Sequence, residues 1–228
     1  NMNNLKINNE EQKTAIVTGA SEGIGAAFSK LLITKGWKVI GISRSSSKLR
    51  AIRQTLQSNE QSFKYFSCDV QDFKKLKNIE NEVEAPDLLL LNAGIYLPVN
   101  ASYMNLDLYK KHLNINYLGV LNTYDAFLPG LIKKQNGHII IMSSVSGWIG
   151  LPKAAAYGPT KAALRSFAQS ARYDLNPKGR KVQLCSPGFV ETKATSINDF
   201  YMPGLMNVNE AANLIFKYMI LNKFEFSF

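Results

Sequence analysis

The feature that most restricts what this chain can fold into is a series of short runs that are apolar throughout. "TAIVTGA" (14–20), "WKVIGIS" (37–43), "FKYFSCD" (63–69), "DLLLLNAG" (87–94), "HIIIMSS" (138–144) and "KVQLCSPG" (181–188) mostly lack the in–out alternation of a half-solvated strand. Strands of this kind are covered on both faces, as happens when helices pack on either side of a parallel sheet. The segments between them, at 24–35, 46–57, 72–82, 104–134 and 156–175, are long enough for crossover helices. The alternation predicts an α/β fold, one doubly wound parallel sheet of about seven strands with helices on both faces. In "KFEFSF" the spacing of Phe224, Phe226 and Phe228 predicts a last strand at the C-terminal end. No repeat, linker or low-complexity stretch interrupts the pattern. Residues 12–228 are therefore expected to form a single domain behind a polar, flexible segment 1–11, with Asn1 ahead of Met2 read as an addition to the natural chain.

Composition narrows the function classes. The net charge is +10, yet the basic clusters (Lys74, Lys75, Lys77; Lys110, Lys111; Lys133, Lys134) read as solvated helix faces. No basic stripe is interleaved with aromatics, so nucleic acid is not an expected partner. An anionic cofactor or substrate suits the charge. Cys68 and Cys185 lie far apart in apolar surroundings and read as small buried side chains. With only His112 and His138 beside them, and no Cys/His cluster, no metal site is expected. The start "NMNNLKINNE" has no apolar region of the kind a secretion signal needs, and no apolar run approaches a membrane span. A cytoplasmic location is the resulting expectation.

"TGASEGIG" (18–25) follows the first apolar run and opens the first helical segment. Gly19, Gly23 and Gly25 allow a tight turn and a close backbone approach, and a helix N-terminus there offers N–H groups to a pyrophosphate. Ser21 and Ile24 belong to the same turn. Its position makes the predicted sheet Rossmann-like and the ligand a dinucleotide. The spacing, G-x-x-x-G-x-G, differs from the usual G-x-G-x-x-G. After the second run, "GISRSSSK" (41–48) has no Asp or Glu to bind a ribose 2′-hydroxyl, but it carries Arg44, whose planar fork suits a 2′-phosphate. NADP(H) is therefore favoured, with NAD(H) possible; the ordinary alternative for Arg44 is an exposed loop arginine. Asn92, Ala93 and Gly94 end the fourth run, at the sheet edge where ligands of such folds bind.

"AAAYGPTKAAL" (154–164) places Lys161 four residues after Tyr157. On a helix the two share a face, so the ammonium, together with the charge of an oxidised nicotinamide, is expected to favour phenolate and lower the tyrosine pKa from about 10. With ten tyrosines in the chain, one such pair arises about once by chance, so the pair needs company. Pro159 fits between them if the helix begins near Tyr157, because its missing N–H is harmless in the first turn.

Together, TGxxxGIG, NAG at 92–94, YxxxK at 157–161 and PG at 187–188 resemble the short-chain dehydrogenase/reductase family, of the NADP-preferring type. The resemblance runs from about Thr14 to Phe228. It implies strand order 3-2-1-4-5-6-7 and an oxidoreductase acting on a carbonyl or alcohol. Tyr157 becomes the general acid in reduction and base in oxidation, and Lys161 also binds the nicotinamide ribose. Ser144, thirteen residues before Tyr157, becomes the substrate-oxygen donor in preference to Ser143. Asn116, in "NINYLG", becomes the residue whose backbone carbonyl holds a relay water; an asparagine with satisfied hydrogen bonds is the plainer reading. By the same resemblance Asp69 and Val70 flank the adenine, although Asp69 also suits a helix cap. Pro187 and Gly188 face the nicotinamide, and Val190 and Thr192 hold its carboxamide. The departures are "LNAG" for the commoner "NNAG", and Glu22, where NADP-dependent members often have a neutral or basic residue.

Pocket walls are expected from Tyr96, Trp148, Phe200 and Met202, apolar enough to suggest a lipophilic small-molecule substrate; ordinary packing explains such residues too. An alternative function is a cofactor-binding regulator or acyl-carrier-docking protein with little turnover. A homo-oligomer is expected through segments 104–134 and 156–175, a dimer in preference to a tetramer because the family's glycine-rich C-terminal segment is missing.

Overall fold

Four consecutive leucines form strand β4 (Leu88–Leu91), and all four are fully buried. Leu88 and Leu90 enter one hydrophobic cluster, and Leu89 and Leu91 enter another on the opposite face of the sheet. The computed structural model describes residues 12–193, 195–197 and 201–228; segment 1–11 and Phe200 lie outside them. Strands β1 (Thr14–Thr18), β2 (Lys38–Ser43), β3 (Phe63–Ser67), β4, β5 (His138–Met142), β6 (Lys181–Cys185) and β7 (Glu225–Phe226) form one sheet in the order β3-β2-β1-β4-β5-β6-β7. All pairings are parallel.

Helices α1 (Gly23–Thr34), α2 (Ser46–Thr55) and α7 (Val208–Met219) cover one face, bringing Phe28, Leu49 and Ile215 into one hydrophobic cluster with Ala15 and Val17. On the other face α3 (Phe73–Asn81), α5 (Gly119–Leu131) and α6 (Tyr157–Leu175) bring Leu76, Phe127 and Leu164 into a second cluster with Ile16. Alternate residues of one strand thus serve different cores, which is why the runs read as apolar throughout. No helix among the described residues is long and apolar enough to cross a membrane.

Three elements differ from the sequence expectation. The helix expected over 104–134 is α4 (Leu106–His112) and α5 joined by a π-helical turn, Leu113–Leu118. Such wide turns insert a residue into the helical ladder and gather at functional sites. Gly119 follows it because a Cβ there would stand 2.5 Å from Val70 Cγ2. Helix α7 lay outside the expected segments, although its start carries a readable capping box: Asn207 accepts from the Glu210 N–H and Glu210 accepts from the Asn207 N–H. The last strand is shorter than 223–228, but the carbonyls of Phe224, Phe226 and Phe228 all accept from the β6 side, from Leu184, Ser186 and Gly188.

Candidate active site

The strand order reverses between β1 and β4, and beyond their C-terminal ends lies a cleft of about 280 Å³. Ligands of open α/β sheets bind at this switch point. Thr18 fixes its floor: Oγ1 accepts from the N–H groups of Asn92 (3.0 Å) and Ala93 (3.1 Å), and its carbonyl accepts from Asn92 Nδ2 (3.1 Å). The glycine turn closes onto that frame. A Cβ on Gly19, whose φ is +66°, would stand 2.8 Å from Asn92 Nδ2, and one on Gly25 would stand 2.3 Å from the Gly19 carbonyl oxygen. Gly25 itself sits beneath the turn, whereas Gly19, Ser21, Gly23 and Ile24 line the cleft. Side chains of Ser45, Asp72, Asn105 and Asn207 cap α2, α3, α4 and α7, but the Glu22 side chain does not cap α1. The first N–H groups of α1 are thereby left for a ligand. The closely packed glycines and this open helix end fit the pyrophosphate of a dinucleotide.

At the β2 side, Arg44 lines the cleft with its side chain exposed and its carbonyl held by Ser67 Oγ (2.8 Å). The Ser21 and Ser43 hydroxyls bond each other at 2.7 Å. Glu22, an unfavourable neighbour for a phosphate, forms an ion pair with Lys48. Asp69 lines the cleft beside Val70 and accepts from the Gln71 N–H (2.9 Å); the cap of α3 is Asp72. Asn92, Ala93 and Gly94 also line the cleft, as do Pro187, Gly188, Val190 and Thr192.

Ser144, Tyr157 and Lys161 meet in the same cleft. Ser143 is committed elsewhere, donating to the Lys161 carbonyl at 2.9 Å, while Ser144 hydrogen-bonds the Tyr157 phenol. Tyr96 packs edge-on against Tyr157, ring centroids 5.2 Å apart. Lys161 is buried; its Nζ donates to the Met142 carbonyl (2.9 Å) and stands 5.5 Å from the Tyr157 ring centre. The protein alone does not lower the Tyr157 pKa as the spacing suggested. Burial pushes the phenol up to about 12, with the Ser144 hydrogen bond opposing and Tyr96 adding to the rise. Burial likewise brings the Lys161 ammonium down to about 8, with Cys185 opposing.

Asn116 does not line the cleft. It is fully buried in the π-helical turn, where Oδ1 accepts from the Ile95 N–H (2.7 Å) and Nδ2 donates to the Ile95 carbonyl (2.9 Å) and to Thr160 Oγ1 (3.3 Å). Its side chain thus ties the segment after Gly94 to the first turn of α6. Lys193 and Thr195, absent from the expected residues, also line the cleft; Thr195 Oγ1 donates to the Val190 carbonyl (2.6 Å) and shapes that wall. Of the expected pocket residues, Tyr96 is in the cleft. Met202 lines a neighbouring cavity of about 500 Å³ with Leu205 and Val208. Trp148 is outside both, because its indole N–H is drawn to Glu225 (2.6 Å).

His112 supports the Tyr96 segment from below. Its Nε2 accepts from the Leu97 N–H (3.0 Å), so Nδ1 carries the proton donated to the Leu108 carbonyl (2.7 Å). Burial holds its pKa below the ordinary 6.5, the Leu108 bond opposing and Lys111 adding. The neutral ring therefore contributes stability that is complete above pH 6.5 and is lost as pH falls below it, toward the depressed native value. Urea unfolding at pH 7.5 and pH 5.5 checks this: the unaltered chain should lose more stability on acidification than His112→Phe.

The family model described as "short chain dehydrogenase" matches residues 13–199. An uncharacterised oxidoreductase of Myxococcus xanthus is 32% identical over 220 residues, covering 95% of this chain and 87% of that protein. The 3-oxoacyl-[acyl-carrier-protein] reductase FabG of Vibrio harveyi is 35% identical over 193 residues, covering 84% of this chain and 79% of its own length. Among solved structures, ElxO with NADP bound superimposes with a TM-score of 0.84 at 24% identity, covering 95% of this chain and 96% of that one. Sequence and fold agree over most of the molecule, and the chain belongs to the short-chain dehydrogenase/reductase family of NAD(P)-dependent oxidoreductases.

Proposed function

We propose that the protein is an NADP(H)-dependent oxidoreductase interconverting a lipophilic carbonyl compound and its secondary alcohol. The observation that carries this reading is the meeting of Ser144, Tyr157 and Lys161 in the cleft whose floor is the glycine turn. Bound NADP(H) supplies the hydride-transfer chemistry. The α1 N-terminus and Gly19–Gly23 backbone take the pyrophosphate, Arg44 the 2′-phosphate, and Asp69 and Val70 flank the adenine. Pro187, Gly188, Val190 and Thr192 hold the nicotinamide end, and Lys161 its ribose.

Tyr157 is the proton donor to the substrate oxygen, and Ser144 orients both that oxygen and the phenol. A phenol pushed up to about 12 is fully protonated at neutral pH, the state a reductase needs. Asn116 fixes Ile95 and Thr160, which sets the Tyr96 segment against Tyr157, and its backbone carbonyl holds the relay water. Ile95, Tyr96 and Val190 give the reacting end an apolar lining. Two copies pair through α5 and α6, and exposed Leu113, Leu118 and Tyr173 on or beside those helices support a self-association surface there.

Arg44→Ala is expected to weaken NADPH binding by about 10- to 100-fold, the value of a charge-assisted hydrogen bond, with little change for NADH. Fluorescence titration with both cofactors measures it; equal losses would remove Arg44 from phosphate recognition. A second substrate reading, a 3-oxoacyl thioester on an acidic carrier, draws on the likeness to the Vibrio harveyi reductase and on the net charge of +10. A paired NADPH/NADH screen over ketones, aldehydes and acyl thioesters separates the two. Cofactor binding without turnover on all three classes would favour a regulatory role.

A further inference from the structure

Glu225 lies on β7, outside the cleft, yet its carboxylate collects donors from three elements that carry the site. Oε1 accepts from the Trp148 indole N–H (2.6 Å) and the Ser186 hydroxyl (3.2 Å). Oε2 accepts from Arg165 Nη2 (3.2 Å) and Nε (3.4 Å). Trp148 ends the short arc that Ser144 begins, Arg165 stands one turn beyond Lys161 on α6, and Ser186 precedes the Pro187–Gly188 turn. The inner side of the arc is pressed onto α6 with no space to spare. A Cβ on Gly147 would stand 2.9 Å from the Lys161 carbonyl carbon and oxygen, and one on Gly158 would stand 3.0 Å from the Ser146 carbonyl oxygen. The Val145 N–H also donates to the Pro187 carbonyl (3.1 Å). Residues 144–148 are thus held between α6 on the inside and the Glu225 carboxylate on the outside.

We propose that Glu225, itself held by Arg165, is a positioning residue for Ser144, acting through Trp148 on the arc that aims the Ser144 hydroxyl at Tyr157. This rests on the reading of Ser144 and Tyr157 as the reacting pair. Ser144 has one short turn, Val145–Gly147, between itself and the Trp148 anchor, so freeing that anchor lets the hydroxyl drift. Misplacement of a catalytic group by about 1 Å costs as much as 10²-fold in rate. Charge-assisted hydrogen bonds, such as those from Arg165, are the stronger kind for holding such a geometry.

The test uses the full chain with NADPH and 9,10-phenanthrenequinone, a bulky apolar dicarbonyl, as probe. Glu225→Gln keeps the shape but turns one acceptor toward its donors into a donor. Its kcat is expected to fall about 10-fold, within the range that misplacement costs, with the NADPH Kd unchanged. Trp148→Phe, which keeps a ring and removes the N–H, should fall similarly and carries the test if Glu225→Gln does not fold. The decisive readout is non-additivity: in a Ser144→Ala background neither change should lower kcat further. An unchanged kcat in both variants, or losses that multiply with Ser144→Ala, would overturn the proposal. Full turnover by Tyr157→Phe would instead sink the catalytic assignment on which it rests, and no turnover of any carbonyl by the unaltered chain would sink both.

Discussion

Tyr157→Phe is expected to lower kcat for carbonyl reduction by about 10³-fold, the middle of the range for a positioned general acid, while NADPH binds as tightly as before. The substitution removes one oxygen and leaves the ring. Edge-on packing with Tyr96 at 5.2 Å and the position of Lys161 Nζ at 5.5 Å involve the ring, so both persist. What disappears is the proton that burial keeps on the phenol and the partner of the Ser144 hydroxyl. NADPH oxidation followed by absorbance, with cofactor binding followed by fluorescence, separates the two effects. A rate close to that of the unaltered chain would mean that another group delivers the proton.

Gly25→Ala should damage the cofactor site without touching a reacting group. The added methyl would stand 2.3 Å from the Gly19 carbonyl oxygen and 2.7 Å from Asn92 Nδ2. Neither can retreat freely, because Gly19 already occupies a φ of +66° and the Asn92 amide is tied to the Thr18 carbonyl. Overpacking of this kind costs about 1–3 kcal/mol, a fall in Tm of several degrees at roughly 2–4 °C per kcal/mol for a chain of this size. NADPH affinity should fall by about 10-fold or more, since about 1.4 kcal/mol of distortion at the pyrophosphate turn suffices. Gly150→Ala is the control: nothing lies within 4 Å of its Cβ position, and both readouts should stay put. Unaltered NADPH binding by Gly25→Ala would separate the glycine turn from the cofactor.

The two departures noted in the motifs acquire reasons in the structure. Glu22 faces the region assigned to phosphate, but Lys48, from the first turn of α2, neutralises it. "LNAG" keeps the asparagine that matters locally, since Asn92 bonds the Thr18 carbonyl through its own side chain. Neither partner could be named from the chain alone, because Glu22 and Lys48 lie in different elements and Thr18 is 74 residues from Asn92.

The sheet, its helices on two faces, and the order in which the glycine turn, Asn92–Gly94, Ser144, Tyr157–Lys161 and Pro187–Gly188 reach one edge were all legible in the chain before folding. Burial on both faces leaves an apolar run that needs no partner to be read, and helical spacing places Lys161 beside Tyr157. The thirteen-residue gap to Tyr157 already favoured Ser144 over Ser143; the tertiary structure added a reason, engaging the Ser143 hydroxyl with the Lys161 carbonyl. It also decided that a π-helical turn lets Asn116 reach Ile95 and Thr160, and that Trp148 turns from the pocket toward Glu225. It raised the Tyr157 pKa where helical proximity to an ammonium predicted a fall, since burial is the largest influence on the phenol and the Ser144 hydrogen bond opposes it only in part. Hydrogen-bond partners and desolvation depend on distances between residues far apart in the chain, and those distances exist only once the chain has folded.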